Sequence, residues 1–212
     1  MTQPRRTRRQ PRAGRTSKDL RAALLESAER LLAERPLADL AVEDLLSDAG
    51  VSRASFYFYF ESKHAIVAAL LERIVDDVHA AALPWFERGD TPPKEALHAA
   101  LSGSLALWRR HSTVMSASVE HWQSVPELRE VWGGVIARFT DAAAAQIERD
   151  RETGAAPPGA DPHTLAGVLV AMNERSFYYA ISAGDPADDP KLVETLTGVW
   201  LASIYGGTRE RS

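Results

Sequence analysis

Arg53, two serines (Ser52 and Ser55) and two tyrosines (Tyr57 and Tyr59) crowd into the run Gly50-Val51-Ser52-Arg53-Ala54-Ser55-Phe56-Tyr57-Phe58-Tyr59-Phe60. Guanidinium and hydroxyl groups hold phosphate oxygens and read base edges when one helix presents them together. The consecutive aromatics resemble a strand at first, but alternation leaves no turn signal before the next helix. A helical reading explains more, because Phe56, Tyr59 and Phe60 then stand at i, i+3 and i+4. Gly50 supplies the backbone freedom of a tight interhelical turn. Ser52 is suited to cap the helix, its hydroxyl accepting from a first-turn N–H, and Ser62 is placed to cap the next one. Arg53 and Ser55 fall in the first turn of this helix, where base edges are usually read. Lys63 opens the following helix, so its ammonium and that helix terminus are expected to hold a phosphate together.

The elements that must position these groups are legible on both sides. Val42, Leu45, Leu46 and Ala49 follow helical spacing, and Glu43 and Asp44 put negative charge in the first turn. A short amphipathic helix, a glycine turn, a short aromatic helix and a capped longer helix make the layout of a helix-turn-helix. An ordinary helical hairpin has the same spacing and stays open at this point. Upstream, a helix is expected from about Ser17 to Glu34, burying Leu20, Leu24, Ala28 and Leu31, with Pro36 closing it. Downstream, a helix should run from Lys63 toward Ala82 and end at Pro84. Amphipathic segments follow near 93–110, 112–122, 126–151, 161–183 and 190–206, separated by proline- and glycine-rich breaks. In the 126–151 segment Leu128, Val131, Trp132, Val135, Phe139 and Ala142 share a face. No strand pattern survives, so the expected fold class is all-α.

The run Leu40 to Leu46, then Ala49-Gly50-Val51-Ser52, Ser55 to Phe60 and Ser62-Lys63, resembles the amino-terminal signature of TetR-family transcriptional regulators. Met172-Asn173-Glu174-Arg175 and Trp200 to Gly206, with Phe56 to Phe60, resemble the EthR subgroup of that family. The resemblance implies that Tyr57 and Tyr59 face DNA, giving hydroxyls to phosphates and ring faces to sugars or thymine methyls, while Phe56 and Phe60 pack inward. Two departures stand out. Ala41 replaces a capping Ser or Thr, which should weaken that helix start, and Ala54 replaces a Pro, which should affect helix initiation more than specificity.

All five tryptophans, Trp85, Trp108, Trp122, Trp132 and Trp200, lie in the second part of the chain. In a helical bundle such residues form core or interface, or line a cavity for an apolar small molecule. EthR-type proteins hold such ligands in an aromatic channel with an asparagine as polar handle. By that resemblance Asn173 is the handle, Glu174 lies beside it, and Trp108, Trp132, Phe139, Tyr178 and Trp200 form walls. Leu97 and Ser104 stand where further aromatics are expected. A satisfied core asparagine remains the other reading of Asn173, since a polar group on an apolar helix edge needs some partner.

Charge is unevenly distributed. Residues 1–21 carry a net charge of +7, leaving −11 for the rest of a chain whose total is −4. A basic arm on an acidic body points to nucleic acid, with Arg12 and Arg15 as phosphate contacts; a merely solvated tail is the alternative. Residues 1–17 are read as a disordered arm, 18–66 as the helix-turn-helix domain, 67–206 as a ligand-binding and dimerisation domain, and 207–212 as a flexible tail. The absence of cysteine excludes disulfides and thiolate metal sites. No apolar run is long enough to span a bilayer, and no export signal core follows the arginines, so cytoplasmic residence is the default. The six histidines (His64, His79, His98, His111, His121, His163) are scattered. No zincin, phosphate-loop, dinucleotide or nucleophile-elbow motif occurs, which argues against an enzyme and leaves no catalytic residue, metal or cofactor to assign. The expected function is a ligand-responsive transcriptional regulator, acting as a repressor. It would bind a palindromic double-stranded DNA operator as a homodimer and be released by an apolar small-molecule effector, without membrane association. An architectural DNA-binding protein without an effector and a helical enzyme are the alternatives. By resemblance the last two helices form the dimer interface, through Leu165, Val168, Leu169, Met172, Leu192, Leu196, Val199 and Ile204.

Overall fold

The computed structural model describes residues 17–206, so the basic arm with Arg12 and Arg15, and the segment 207–212, lie outside the described residues. Its α-helices are α1 (Ser17–Glu34), α2 (Val42–Ala49), α3 (Arg53–Tyr59), α4 (Lys63–Phe86), α5 (Pro93–Arg110), α6 (Ser112–His121), α7 (Pro126–Glu152), α8 (Pro162–Ala183) and α9 (Asp189–Tyr205). No strand occurs among the described residues. The all-α expectation holds.

Helices α1 to α3 form a small unit around Leu24, Ala28, Leu31, Leu45 and Phe56, all buried. Gly50 ends α2 at φ 63° and ψ 41°, the left-handed conformation that glycine adopts without a Cβ clash. Its N–H donates to the Leu46 carbonyl. Ser52 caps α3 as expected, its Oγ accepting from the Ser55 N–H at 3.1 Å. Ala41 offers no side-chain cap to α2, yet the helix start is held from the other direction. The Asp44 carboxylate accepts the Ala41 N–H at 2.9 Å. That bond, with Arg35 nearby, holds the Asp44 carboxyl below its usual range.

The 24-residue helix α4 joins this unit to the body. It does not end at Pro84, which lies inside the helix two residues before its last residue, Phe86: the Glu87 N–H still bonds the Leu83 carbonyl at 2.9 Å. Proline removes one intrahelical bond, but ending the helix there would lift Trp85 and Phe86 out of the core, where both are buried. Tertiary burial outweighs the local preference. Helix α4 packs on α5 and α7, α7 on α8, and α5 on α9. At the α4–α5 crossing a Cβ on Gly103 would sit 3.3 Å from Ala81 Cβ, so glycine permits the close approach.

Candidate functional site

Helix α3 displays its side chains in an order that its periodicity dictates. Phe56 and Phe60 are buried with ring centroids 6.2 Å apart. Tyr57 is half exposed, and Phe58 is the most exposed large hydrophobic residue described, at 78%. Tyr59 is partly buried against the core, edge-on to Phe58 at 4.9 Å. The outward aromatic face is therefore Tyr57 with Phe58, and Tyr59 contributes less surface than the resemblance implied. Phe58 was missed by the sequence reading, although the same i, i+3, i+4 count that gathers Phe56, Tyr59 and Phe60 leaves Phe58 outside.

The first turn of α3 is polar. Arg53 is exposed and forms an ion pair with Glu43 of α2. Ser52 and Ser55 share a hydroxyl–hydroxyl bond at 2.9 Å. Lys63 has a different task from the expected phosphate contact. Its Nζ donates to the carbonyls of Leu37, Ala38 and Leu40 at 2.7, 3.1 and 2.7 Å. All three ammonium donors are consumed in tying the start of α4 to the segment after α1. The same junction is stitched to the body, since Ser62 Oγ caps Ala65 N–H and donates to Glu127 of α7.

Within the body, α4 to α9 enclose a cavity of about 90 Å³. Trp108, Trp132, Phe139, Asn173, Glu174 and Trp200, which the resemblance assigns to a ligand, line it. Leu97 and Ser104 line it too, so the positions lacking aromatics belong to its wall. Phe177, Trp85 and Met115 are wall residues that the sequence reading did not assign. Trp108 meets Trp132 and Phe177 edge-on at 6.0 and 5.7 Å, and Trp85 meets Trp200 at 5.0 Å. Tyr178 does not belong to the lining. Its hydroxyl donates to Glu120 at 3.1 Å, and Arg175 lies over its ring at 5.4 Å. Phe177 is the residue of this pair that faces inward, while the bond to Glu120 of α6 draws the Tyr178 ring away from the cavity.

The polar part of the cavity is compact. Asn173 Oδ1 accepts the Trp200 indole N–H at 3.1 Å, which leaves the amide NH₂ of Asn173 as its donor end. Glu174 Oε1 is buried without a hydrogen-bond partner, and burial raises the Glu174 carboxyl above its usual range against the pull of Arg175. The other oxygen, Oε2, faces Arg175 Nε at 3.9 Å.

The sequence agrees with known proteins over both parts. Residues 24–70 match the family described as bacterial regulatory proteins, tetR family, and residues 97–206 match the carboxyl-terminal domain of transcriptional regulator EthR. An HTH-type transcriptional regulator EthR of Mycolicibacterium smegmatis is 37% identical over 203 residues, covering 95% of this chain and 94% of that protein. The chain belongs to the TetR family. The EthR regulator of Mycobacterium tuberculosis is 34% identical over 205 residues, covering 94% of this chain and 95% of that protein. A TetR-family regulator from Syntrophomonas wolfei has the same fold, with a TM-score of 0.73 at 15% identity, covering 93% of this chain and all of that one. The protein is thus a DNA-binding transcriptional regulator of the TetR family, similar to EthR through its body as well as its helix-turn-helix.

For a TetR-family regulator, α8 and α9 expose notable apolar surface. Val168, Tyr179 and Val199 are 63%, 64% and 39% exposed. The expected dimer face groups Leu169, Leu196 and Ile204 with Val168 and Val199, but these three are buried in the protomer's own core, and Tyr179 joins the face without having been expected there. The outer face is narrower and consists of Val168, Tyr179 and Val199, with Leu165, Met172 and Leu192 partly buried. Among the described residues no helix is long and apolar enough to cross a membrane, and no cluster of metal-ligating side chains occurs.

Proposed function

We propose that this regulator is a cytoplasmic, ligand-responsive repressor that binds a palindromic operator as a homodimer and is released by an apolar small molecule. The observation that carries the reading is that one helix serves both ends: only three residues separate α4 from α3, and α4 supplies Leu71, Ile74, Val78 and Phe86 to the cavity wall. The cavity is smaller than the roughly 150 Å³ that admits benzene to an engineered protein core. A larger occupant must therefore displace the surrounding helices. Moving α4 moves α3, and two recognition helices must keep a spacing of about 34–36 Å to enter successive major grooves. The ligand acts only through its differential affinity for the two arrangements. Dimerisation is supported by the exposed apolar face of α8 and α9.

The decisive experiment titrates apolar compounds into a complex of the protein with the DNA upstream of its own coding sequence, followed by fluorescence anisotropy. Ligands that shift the melting temperature should also release the DNA. Ser104→Leu puts an isopropyl group into the cavity in place of a hydroxyl, so this variant should keep DNA binding and lose most of the ligand response. It is a cleaner probe than Asn173→Ala, which also deprives the Trp200 indole of its acceptor. Release that persists undiminished in Ser104→Leu overturns the cavity as effector site.

On the DNA side, Arg53, Ser52, Ser55, Tyr57 and Phe58 form the proposed reading surface, with the Tyr59 hydroxyl at its margin. The exposed Arg53–Glu43 pair is worth little and can exchange for a base contact. Arg53→Ala should change base preference by about 1–3 kcal/mol at one position. Tyr57→Phe should weaken binding to all sequences through loss of a phosphate contact. Operator variants with single-base changes separate these outcomes, and parental behaviour by both proteins would remove α3 as the reading helix.

A further inference from the structure

Among the described residues, Arg35, Trp85, Arg151 and Glu174 each bury a side-chain polar atom that lacks a hydrogen-bond partner. Two of these residues, Trp85 and Glu174, line the cavity. The Trp85 indole N–H lies close enough to the Tyr205 hydroxyl to interact with it. Glu174 Oε1 is the acceptor among the four, and it belongs to a side chain only 13% exposed. Among the described residues its cationic neighbour is Arg175, which reaches the opposite oxygen at 3.9 Å and lies over the rings of Tyr178 and Tyr179. A carboxylate oxygen in an apolar, aromatic enclosure is costly when unpaired and gains most from a charged donor.

We infer that the effector is an apolar amine, whose protonated nitrogen donates to Glu174 Oε1 while its hydrocarbon body lies among Trp108, Trp132 and Phe177. This deepens the effector reading above and rests on it. Asn173 stands beside Glu174 with its oxygen already accepting from Trp200 and its NH₂ as donor, so the carboxylate is the charged acceptor of the pair. A neutral alcohol of the same shape would also donate to Oε1, but it brings no positive charge and so gains no ion-pair attraction in the poorly screened enclosure. The aromatic walls favour a cation as well, because ring faces attract it.

The test uses benzylamine, benzyl alcohol and toluene, three probes of nearly equal shape, titrated into the full-length protein by calorimetry with tryptophan fluorescence as a second readout. The parent should prefer benzylamine over benzyl alcohol by at least about tenfold, because only the ammonium pairs its charge with the carboxylate. Glu174→Gln should bring that ratio to within about twofold while leaving affinity for benzyl alcohol near the parental value. Glu174→Leu, which keeps an apolar side chain of similar reach, should bind toluene at least as well as the parent and discriminate against benzylamine. Thermal melting and DNA binding of both variants report whether they are folded. Equal binding of amine and alcohol by the parent overturns the inference while leaving an apolar effector cavity. An amine preference that survives in both variants overturns it too, since another group then holds the cation. Failure of all three probes to bind the parent removes the cavity reading itself.

Discussion

Asp150→Ala should lower the stability of the protein by about 3–5 kcal/mol, the usual consequence of removing one partner of a buried ion pair. Asp150 is 3% exposed and lies near the end of α7. Its oxygens accept from Arg88 Nη2 at 2.6 Å, Arg88 Nε at 3.3 Å, Gln146 Nε2 at 2.9 Å and the Tyr205 hydroxyl at 2.5 Å. Arg88 follows α4 and also donates to the Gly89 and Thr91 carbonyls, while Tyr205 is the last residue of α9. One carboxylate thus joins the α4–α5 connection, α7 and the end of α9. Alanine would leave the Arg88 guanidinium buried without a counter-charge, so urea unfolding should register most of the loss. Alkaline behaviour supplies an independent check. Burial first, then the bond to Asp150, pushes the Tyr205 hydroxyl up to about 12. A folded-state value raised above that of the unfolded chain means stability that is whole below about pH 10. That contribution fades as pH climbs towards 12. Absorbance titration should find one tyrosine ionising last in the parent and earlier in Asp150→Ala. A variant with parental unfolding and tyrosine titration would show the network to be inert.

Periodicity and punctuation in the sequence locate most of the elements, because helices here obey local rules. Ser17 to Glu34 forms one helix as expected, and Ser52 and Ser62 cap as their types suggest. The corrections arise where distant segments decide. Pro84 fails to stop α4 because Trp85 and Phe86 are buried by other helices. Lys63 turns away from the solvent towards carbonyls 23 to 26 residues earlier, a distance over which spacing carries no information. The placement of Tyr59 shows the opposite. Its i+3 relation to Phe56 already set it on the inward side, and that periodicity outweighs the family pattern in fixing where the ring lies. In the cavity, the types and most positions are legible, but Phe177 lines the wall and Tyr178 does not, because its hydroxyl is drawn to Glu120 of α6, a partner 58 residues away. The unpaired oxygen of Glu174 could not be read at all, since the lack of a partner is a property of the assembled enclosure.

Removing residues 1–16 should change the salt dependence of operator binding more than its sequence preference. The deleted segment holds Arg5, Arg6, Arg8, Arg9, Arg12 and Arg15 and no acidic residue, whereas the rest of the chain is strongly acidic. If each protomer makes about four phosphate contacts, two of them from the arm through Arg12 and Arg15, a dimer makes about eight. The log–log slope of affinity against salt is then near −7, at roughly −0.9 per contact. Truncation to about four contacts brings it near −3.6. Between 50 and 200 mM salt the full-length protein would lose about 10⁴-fold in affinity and the truncated one about 10²-fold. The reading surface on α3 stays in place in both proteins, so the ranking of operator variants should persist. If the arm enters the minor groove instead, a preference for A·T pairs beside each half-site should vanish with it. Salt titrations of the two proteins on a single operator distinguish these outcomes. Superimposable slopes would make the arm a bystander, its charge serving solubility, and would leave α3 and its surroundings with the whole of the phosphate contact.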